Sequence, residues 1–432
     1  MTYIADLHLH SAYAYACSKY LTLENLAKWA KLKGIDLLAT ADFTHPRWLS
    51  ELTQQLTPTG TGLYQFQGAH FVLGTEVSCV YRQGGASRRV HVLLFAPDLD
   101  TVTRLNLFLS DYGNLVQDGR PTLRLSVRDL TEAVLDTNPN CIVIPAHVWT
   151  PWYGVFGSKS GFDSLAECFL DLTPSINAVE TGLSSDPAMN WAIAELENLT
   201  IISCSDAHSL PKLAREVTAF EGELTYQGLS DALSQNRVAF TAEFYPEEGK
   251  YHYDGHRKCG ISQSPEETRR QGGRCSVCRR PLTLGVLNRT RSLSAEPVLA
   301  ERGSDGFVRL AGSSTSASKK RPPFIRLVPL QEIIATVLGQ GVSAKRVQST
   351  YFHLVAELGS ELEVLINASP SDLISLAGEE IGPAILRARA GDVRVEPGYD
   401  GVFGRISIEA GGDLSSVNDA EHQEAELQGR LL

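Results

Sequence analysis

Seven short apolar segments in the first 245 residues constrain the fold more than any other feature. Between several of them lie stretches with helical spacing of apolar residues, such as Thr22–Gly34, which starts at a threonine cap and stops at a glycine. Strands that alternate with helices predict an α/β unit with a parallel sheet, either open or closed into a barrel. The expected strands are Ile4–His10, Ile35–Ala41, Phe71–Val80, Val90–Phe95, Cys141–His147, Ile176–Glu180 and Ile201–Ser205.

Residues of the types that bind metals gather near one end of these strands. His8 and His10 are two residues apart, and on a strand such residues point to the same side. A single His-x-His is usually unrelated to metal binding, but six of the chain's eleven histidines fall at these places. In α/β folds, sites are built at the carboxyl ends of the strands. The candidate ligands are His8, His10, Asp42, His45, Glu76, His91, His147, Asp206 and His208.

This set of residues suits multi-metal hydrolysis. Imidazole nitrogens and carboxylates together favour Zn, Mn or Fe, and carboxylates such as Glu76 and Asp206 can bridge two ions. Two ions about 3.5–4 Å apart stabilise both the attacking and the leaving oxygen of a phosphoryl displacement. We therefore expect two to three divalent ions (Zn, Mn, Mg or Fe) in this part of the chain, with His8, Glu76 and Asp206 at the centre of catalysis.

The motifs DLHLH, TAD, GTEVS, PAH and SDAH occur in this order and resemble the polymerase-and-histidinol-phosphatase (PHP) superfamily. The resemblance implies a distorted seven-stranded β/α barrel with phosphoesterase activity, spanning residues 1–245. Many members have Thr-Asp-His where this chain has Asp42 followed by Phe43, so His45 or Asp42 alone could serve there. Many also have a histidine near the position of Cys17, which is either a ligand or a small buried thiol.

Residues 246–290 contain two pairs of chelating residues, His256-x2-Cys259 and Cys275-x2-Cys278. Four N/S ligands in two tight turns predict one structural zinc, with Asp254 or His252 as alternatives to His256. The whole chain has a net charge of −11, but residues 256–326 contain fifteen Lys/Arg and five Asp/Glu. This local excess predicts contact with a phosphate backbone. The basic residues around the turns are Lys258, Arg269, Arg270, Arg274, Arg279 and Arg280.

The remainder of the chain divides by composition. Residues 291–323 are rich in Ser, Gly and Ala, which predicts a flexible linker or insertion, and residues 410–432 predict a disordered acidic tail. Residues 324–409 are expected to form a helical domain. Within it, two helices flank a turn with Gly339 and Gly341, which is either a helix-hairpin-helix that grips DNA phosphates or an ordinary helical corner. Lys345 and Arg346 would add charge to the second helix.

The barrel motifs, the HRKCG…CSVC segment and the tail VPLQEIIA…EPGYDGVFG together resemble the endonuclease Q family to about residue 409. The resemblance implies a DNA repair nuclease that nicks 5′ to deaminated bases (uracil, hypoxanthine, xanthine) and abasic sites. A damaged base pairs weakly and flips out at lower cost. The aromatic residues after His147 either contact such a base or simply pack in the loop: Trp149, Trp152, Tyr153 and Phe156.

Two other functions fit parts of the sequence. A small-molecule phosphoesterase like histidinol-phosphate phosphatase would use the same ligands but leaves the basic segment unexplained. A DNA-binding protein with an inactive barrel would leave buried ligands unpaired, which is costly. No run of about 18 apolar residues and no signal peptide is seen, and the scattered cysteines suit reduced thiols. We expect a cytoplasmic protein whose partners are DNA and, by extension, a replication or repair protein, with no membrane contact.

Overall fold

The computed structural model describes residues 1–294, 298–312 and 321–408. All seven expected strands correspond to observed strands, but most are shorter than expected. The elements of the first part are β1 Thr2–Asp6, α1 Leu23–Lys33, β2 Leu37–Ala39, α2 Pro46–Gln55, β3 Thr57–Pro58, β4 Tyr64–Phe66, β5 Ala69–Gln83, β6 Ala86–Ala96, α3 Leu99–Leu109, β7 Thr122–Leu123, α4 Val127–Thr137, β8 Ile142–Pro145, α5 Leu165–Phe169, β9 Ala178–Glu180, α6 Pro187–Trp191, β10 Thr200–Ile202, β11 Val217–Glu221, α7 Tyr226–Ser234 and β12 Val238–Glu243.

The second part begins with a small antiparallel pair and ends with a group of helices. Its elements are β13 Asp254–His256, β14 Ile261–Gln263, α8 Pro265–Arg270, α9 Val286–Leu293, β15 Ala300–Arg302, β16 Val308–Leu310, β17 Phe324–Arg326, α10 Leu330–Leu338, α11 Lys345–Leu358, α12 Pro370–Ala390, β18 Arg394–Glu396 and β19 Arg405–Ser407. Short 3-10 turns cover Leu170–Ser175, Ala194–Leu196, Leu210–Lys212, Pro246–Glu248 and Arg257–Cys259, and a π-helical turn covers Glu363–Asn367.

The main sheet is mixed rather than parallel. β1 pairs with β2 and β2 with β5 in parallel, whereas β5–β6, β6–β8 and β1–β11 are antiparallel. Gly84 and Gly85 both have positive φ and form the two-residue turn that connects β5 to β6 in a hairpin. Pairs of glycines favour turns of this kind. Of the seven expected strands, five share this sheet, while β9 and β10 pair with each other.

Helix α1 forms for the local reasons that the sequence indicates. The side chain of Thr22 accepts from Asn25 N, and Gly34 ends the helix with φ +85°. This helix also carries Lys33, whose buried ammonium lies 2.6 Å from Glu361. Tyr351 donates to the same carboxylate at 2.8 Å, so a buried ion pair joins the C-terminal helices to the first part of the chain.

Residues 291–323 were expected to be a flexible linker or insertion. β15 and β16 lie in this segment and extend the main sheet through β17, so these strands are not part of a flexible linker, and an insertion stays a prediction. Residues 313–320 and the expected acidic tail lie outside the described residues. Within those described, no helix has the length and apolar character needed to cross a membrane.

Candidate metal centre

Seven of the nine predicted ligands form three overlapping groups. In each group the ligand atoms lie within 4.8 Å of one another, and the groups share His10 and Glu76. Most of the side chains are buried. The groups are His8, His10 and Glu76; Glu76, His91 and His147; and His10, Asp206 and His208.

The first and last motifs meet beyond the ends of their strands. β1 ends at Asp6, so His8 and His10 follow the strand instead of lying on it, contrary to the expected range Ile4–His10. Leu9 forms a β-bridge with Ala207, and His10 N donates to Ala207 O at 3.1 Å. The extended backbone keeps both rings on one side, with centroids 5.6 Å apart.

Ligand atoms in this cluster point at one another without hydrogen bonds. Nε2 of His8, Nε2 of His10 and Oδ1 of Asp206 are buried and have no hydrogen-bond partner. The His10 nitrogen lies 3.2 Å from the Asp206 oxygen, and both rings approach Oε2 of Glu76 at 3.4 Å. Buried polar atoms are seldom left unpaired, because desolvation is costly. Converging nitrogen and oxygen atoms of this kind fit divalent metal ions.

The charges of the cluster are also suited to a cation. Burial lowers the pKa of His91 and of His208 to about 4, so both rings are neutral at pH 7 and keep a lone pair. Burial opposes ionisation of Glu76, but His91, Arg120 and His8 hold its pKa well below the usual value.

Neighbouring carboxylates raise the pKa of both histidines of the first motif. Despite burial, the charges of Glu180, Glu76 and Asp206 raise the pKa of His8 well above its ordinary value. Asp42 and Asp206 do the same for His10. Metal binding at these rings would release those protons, as it does wherever a ligand must be neutral.

Glu180, which was not among the predicted site residues, contacts two of the candidate ligands. This fully buried carboxylate accepts from His8 Nδ1 at 2.9 Å and from the backbone N of His147 at 2.6 Å. A carboxylate on the second ring nitrogen fixes the tautomer and direction of a ligating histidine. Glu180 is the last residue of an expected strand, and that position was the available signal.

Two predicted ligands lie outside the groups, which corrects their assignment. Asp42 lies behind His10, where its Oδ1 is 3.1 Å from Nδ1 of that ring, and its other oxygen accepts from Ser11 N at 2.6 Å. His45 immediately precedes α2, stacks on Tyr13 at 4.5 Å and bonds a backbone carbonyl through Nε2. Asp42 therefore orients a ligand, and His45 supports the loop.

The thiol of Cys17 also belongs to none of the groups. Burial, and then the charges of Asp42 and Asp206, raise the pKa of this thiol far above its usual value. The neutral thiol is a poor metal ligand. This environment agrees with the alternative of a small, inert side chain.

Four further ligand-type residues meet in the second part of the chain. The ligand atoms of His256, Cys259, Cys275 and Cys278 lie within 4.8 Å of one another. Backbone amides of Cys278 and Val277 donate to Cys275 and lower its pKa to about 6, which favours the thiolate.

The two alternatives for the fourth zinc position do not join this group. Asp254 is buried and accepts from Gly285 N at 2.7 Å and from the amide of Asn288. His252 is buried and stacks on Tyr253 at 5.6 Å. Among the candidates, the geometry therefore selects His256.

The predicted base-contacting aromatics separate into two kinds. Trp149 and Phe156 are buried, stack at 4.8 Å and pack in the core, where Trp149 Nε1 donates to Asn190 at 2.8 Å. For these two residues, burial favours packing in the loop over contact with a base. Trp152 is 47% exposed, and the ring of Tyr153 lies 4.4 Å from that of His91.

The predicted DNA-contacting residues are all at the surface. Gly339 ends α10 with φ +59°, and Gly341 has open space around it. Lys345 and Arg346 are exposed in the first turn of α11. The basic residues around the zinc turns are exposed as well: Lys258, Arg269, Arg270, Arg274, Arg279 and Arg280.

Solved structures resemble this chain over nearly its whole length. The lesion-specific endonuclease PfuEndoQ from Pyrococcus furiosus is 30% identical, with a TM-score of 0.80 over 94% of this chain and 96% of that one. The chain belongs to the endonuclease Q family. A second member, an endonuclease Q in complex with a 27-mer duplex that has an abasic lesion at the active site, is 30% identical with a TM-score of 0.79, covering 95% of this chain and 98% of that one.

Sequence comparisons agree with this placement. Residues 329–392 match the family described as the MJ0043 C-terminal domain. The uncharacterized protein YqxK of Bacillus subtilis is 28% identical over 93% of this chain and 98% of its own length. The uncharacterized protein MJ0043 of Methanocaldococcus jannaschii is 31% identical over 60% of this chain. The match covers only 31% of the length of that relative.

Proposed function

We propose that this protein is a metal-dependent DNA repair endonuclease that cuts the phosphodiester bond 5′ to deaminated bases and abasic sites. The observation that carries the proposal is the convergence of the unpartnered atoms of His8, His10 and Asp206 beside the Glu76 carboxylate. Membership of the endonuclease Q family supports the substrate, since one solved member holds an abasic duplex at its active site.

The ligands are proposed to act as one multi-metal centre. Divalent ions bound there would supply a nucleophile at neutral pH and balance the charge that develops on phosphorus and the leaving oxygen. Glu76 is shared by two groups, and its low pKa keeps it ionised. Asp206 is held ionised in the same way. The proposed ligands are His8, His10, Glu76, His91, His147, Asp206 and His208.

DNA is proposed to bind mainly through phosphate contacts outside the centre. A structural zinc on His256, Cys259, Cys275 and Cys278 would fix the two turns around which the basic residues lie. The turn before α11 would add backbone amides, and the side chains of Lys345 and Arg346 would add positive charge. Trp152, whose side chain is exposed, is proposed to stack on a nucleotide. The other proposed DNA contacts are Lys258, Arg274, Arg279, Arg280, Gly339, Gly341, Lys345 and Arg346.

A panel of labelled duplexes, each with one uracil, hypoxanthine, xanthine or abasic site, tests this function with Mn²⁺ or Mg²⁺ and with chelator. We expect cleavage of lesion strands only, and none with chelator. His8→Ala should abolish cutting and keep DNA binding, because phosphate contacts elsewhere supply the affinity. His70→Ala is the matched control, since His70 belongs to none of the metal groups. Hydrolysis of small phosphate esters without DNA cleavage would favour a small-molecule phosphoesterase instead.

A further inference from the structure

One cation lies against the metal centre and has no role in the ligand set. Nη1 of Arg120 lies 3.2 Å from Oε2 of Glu76, and the side chain is 25% exposed. Its guanidinium thus forms an ion pair with Glu76, which belongs to two of the three metal groups. The side chain is therefore partly accessible to solvent while it contacts the carboxylate of Glu76.

The loop that carries Arg120 is fixed to the loops that carry the ligands. Gly119 N donates to Tyr13 O at 3.1 Å, and the hydroxyl of Thr44 donates to Gly119 O at 3.0 Å. A Cβ on Gly119 would lie 2.6 Å from the carboxylate of Asp42, so only glycine permits this approach. The backbone next to Arg120 is therefore fixed by the loops that follow the first two motifs, and this fixes where the side chain of Arg120 starts.

A carboxylate also fixes the start of this turn. Oδ1 of Asp118 accepts from the backbone N of Tyr15 at 3.0 Å and from that of Arg120 at 3.1 Å. Oδ1 of Asp118 thus accepts from two backbone amides, whereas the guanidinium of Arg120 donates to Glu76.

The chemistry of the guanidinium indicates what the remaining donors would bind. Arginine offers five N–H donors in a planar fork that matches two oxygens of a phosphate. One donor of Arg120 is used on Glu76, and the partly exposed side chain has further donors for a ligand. Negative charge that grows on a phosphate oxygen during displacement is stabilised by such a preset donor.

We propose that Arg120 binds a non-bridging oxygen of the scissile phosphate and stabilises it in the transition state. The proposal rests on the proposed function, because it concerns the same centre. It differs from a purely structural pairing with Glu76, in which the guanidinium would only neutralise that carboxylate.

The test compares Arg120→Ala and Arg120→Lys with Arg124→Ala, which removes the same charge from an exposed position in the same segment. We expect Arg120→Ala to lower the single-turnover rate about 100-fold, with metal content and DNA affinity unchanged. Arg120→Lys should retain part of the rate, and Arg124→Ala all of it. Added guanidinium ion should restore part of the rate of Arg120→Ala, which a structural defect would not permit. A wild-type rate in Arg120→Ala, or a loss of rate together with metal, would overturn the proposal.

A binding measurement separates this proposal from the proposed function. Inorganic phosphate is titrated into the Mn²⁺-loaded wild type, Arg120→Ala and Arg124→Ala in the absence of DNA. We expect Arg120→Ala alone to bind phosphate about 10-fold more weakly. That result would uphold the phosphate contact even if the wild type cut no lesion. Equal phosphate affinity in all three proteins would reject the contact even if lesion cleavage were established.

Discussion

Replacing Glu180 with glutamine tests whether the centre depends on the orientation of its histidines. The carboxylate accepts from His8 Nδ1 at 2.9 and 3.0 Å through its two oxygens and from His147 N at 2.6 Å. Glutamine keeps one acceptor oxygen and loses the charge, so about one charge-assisted hydrogen bond is lost, worth about 1.5–3 kcal/mol. That energy corresponds to a loss of about 10- to 100-fold in metal affinity or rate.

The assay is calorimetric titration of the metal-free protein with Mn²⁺, followed by single-turnover cleavage at saturating metal. Glu195→Gln is the matched control, because Glu195 accepts from Leu165 N at 2.9 Å and belongs to none of the metal groups. Wild-type affinity and rate in Glu180→Gln would show that the histidines need no orienting carboxylate. An equal loss in Glu195→Gln would assign the effect to general destabilisation.

Three further predictions concern other parts of the chain. Cys275→Ser should release one zinc per chain by elemental analysis and lower stability, since structural zinc contributes folding energy, whereas buried Cys141→Ser should release none. Burial raises the pKa of Glu243 from 4.5 to about 8, so the folded chain holds a proton that the unfolded chain has lost. The free energy of unfolding should therefore fall as pH rises from about 4.5 to about 8. In urea unfolding at several pH values, the free energy of unfolding of Glu243→Gln should change less with pH than that of the wild type. Trp149→Ala should cost about 3–5 kcal/mol of stability, whereas Trp152→Ala should keep stability and weaken DNA binding by about 1–3 kcal/mol in a fluorescence titration.

The strands were predictable because each apolar segment stands out from its surroundings, but their pairing was not. Alternating strands and helices suggested a parallel sheet, yet Gly84 and Gly85 turn β5 directly into antiparallel β6. The Ser/Gly/Ala-rich composition of residues 291–323 likewise gave no sign that β15 and β16 pair with the main sheet, because they reach it through β17.

The ligand residues were predictable because their types are rare and recur at strand ends. The exceptions have physical causes. Asp42 comes from the same motif as a ligand, but its oxygens are used by His10 and Ser11, which only the fold reveals. Arg120 lies in the loop before β7, a two-residue strand that was not among the seven expected strands, so no local pattern marked it. Trp149 lies two residues after the candidate ligand His147, yet it packs inward, and sequence alone could not give that direction.

The most direct test of the central claim is the position and chemistry of the cut on a duplex with one hypoxanthine or uracil. We predict a metal-dependent nick on the 5′ side of the lesion, with 3′-hydroxyl and 5′-phosphate ends. A polymerase should extend the nicked strand without end-processing. Release of a free base, a borohydride-trapped adduct, or equal cutting of undamaged duplex would contradict the account.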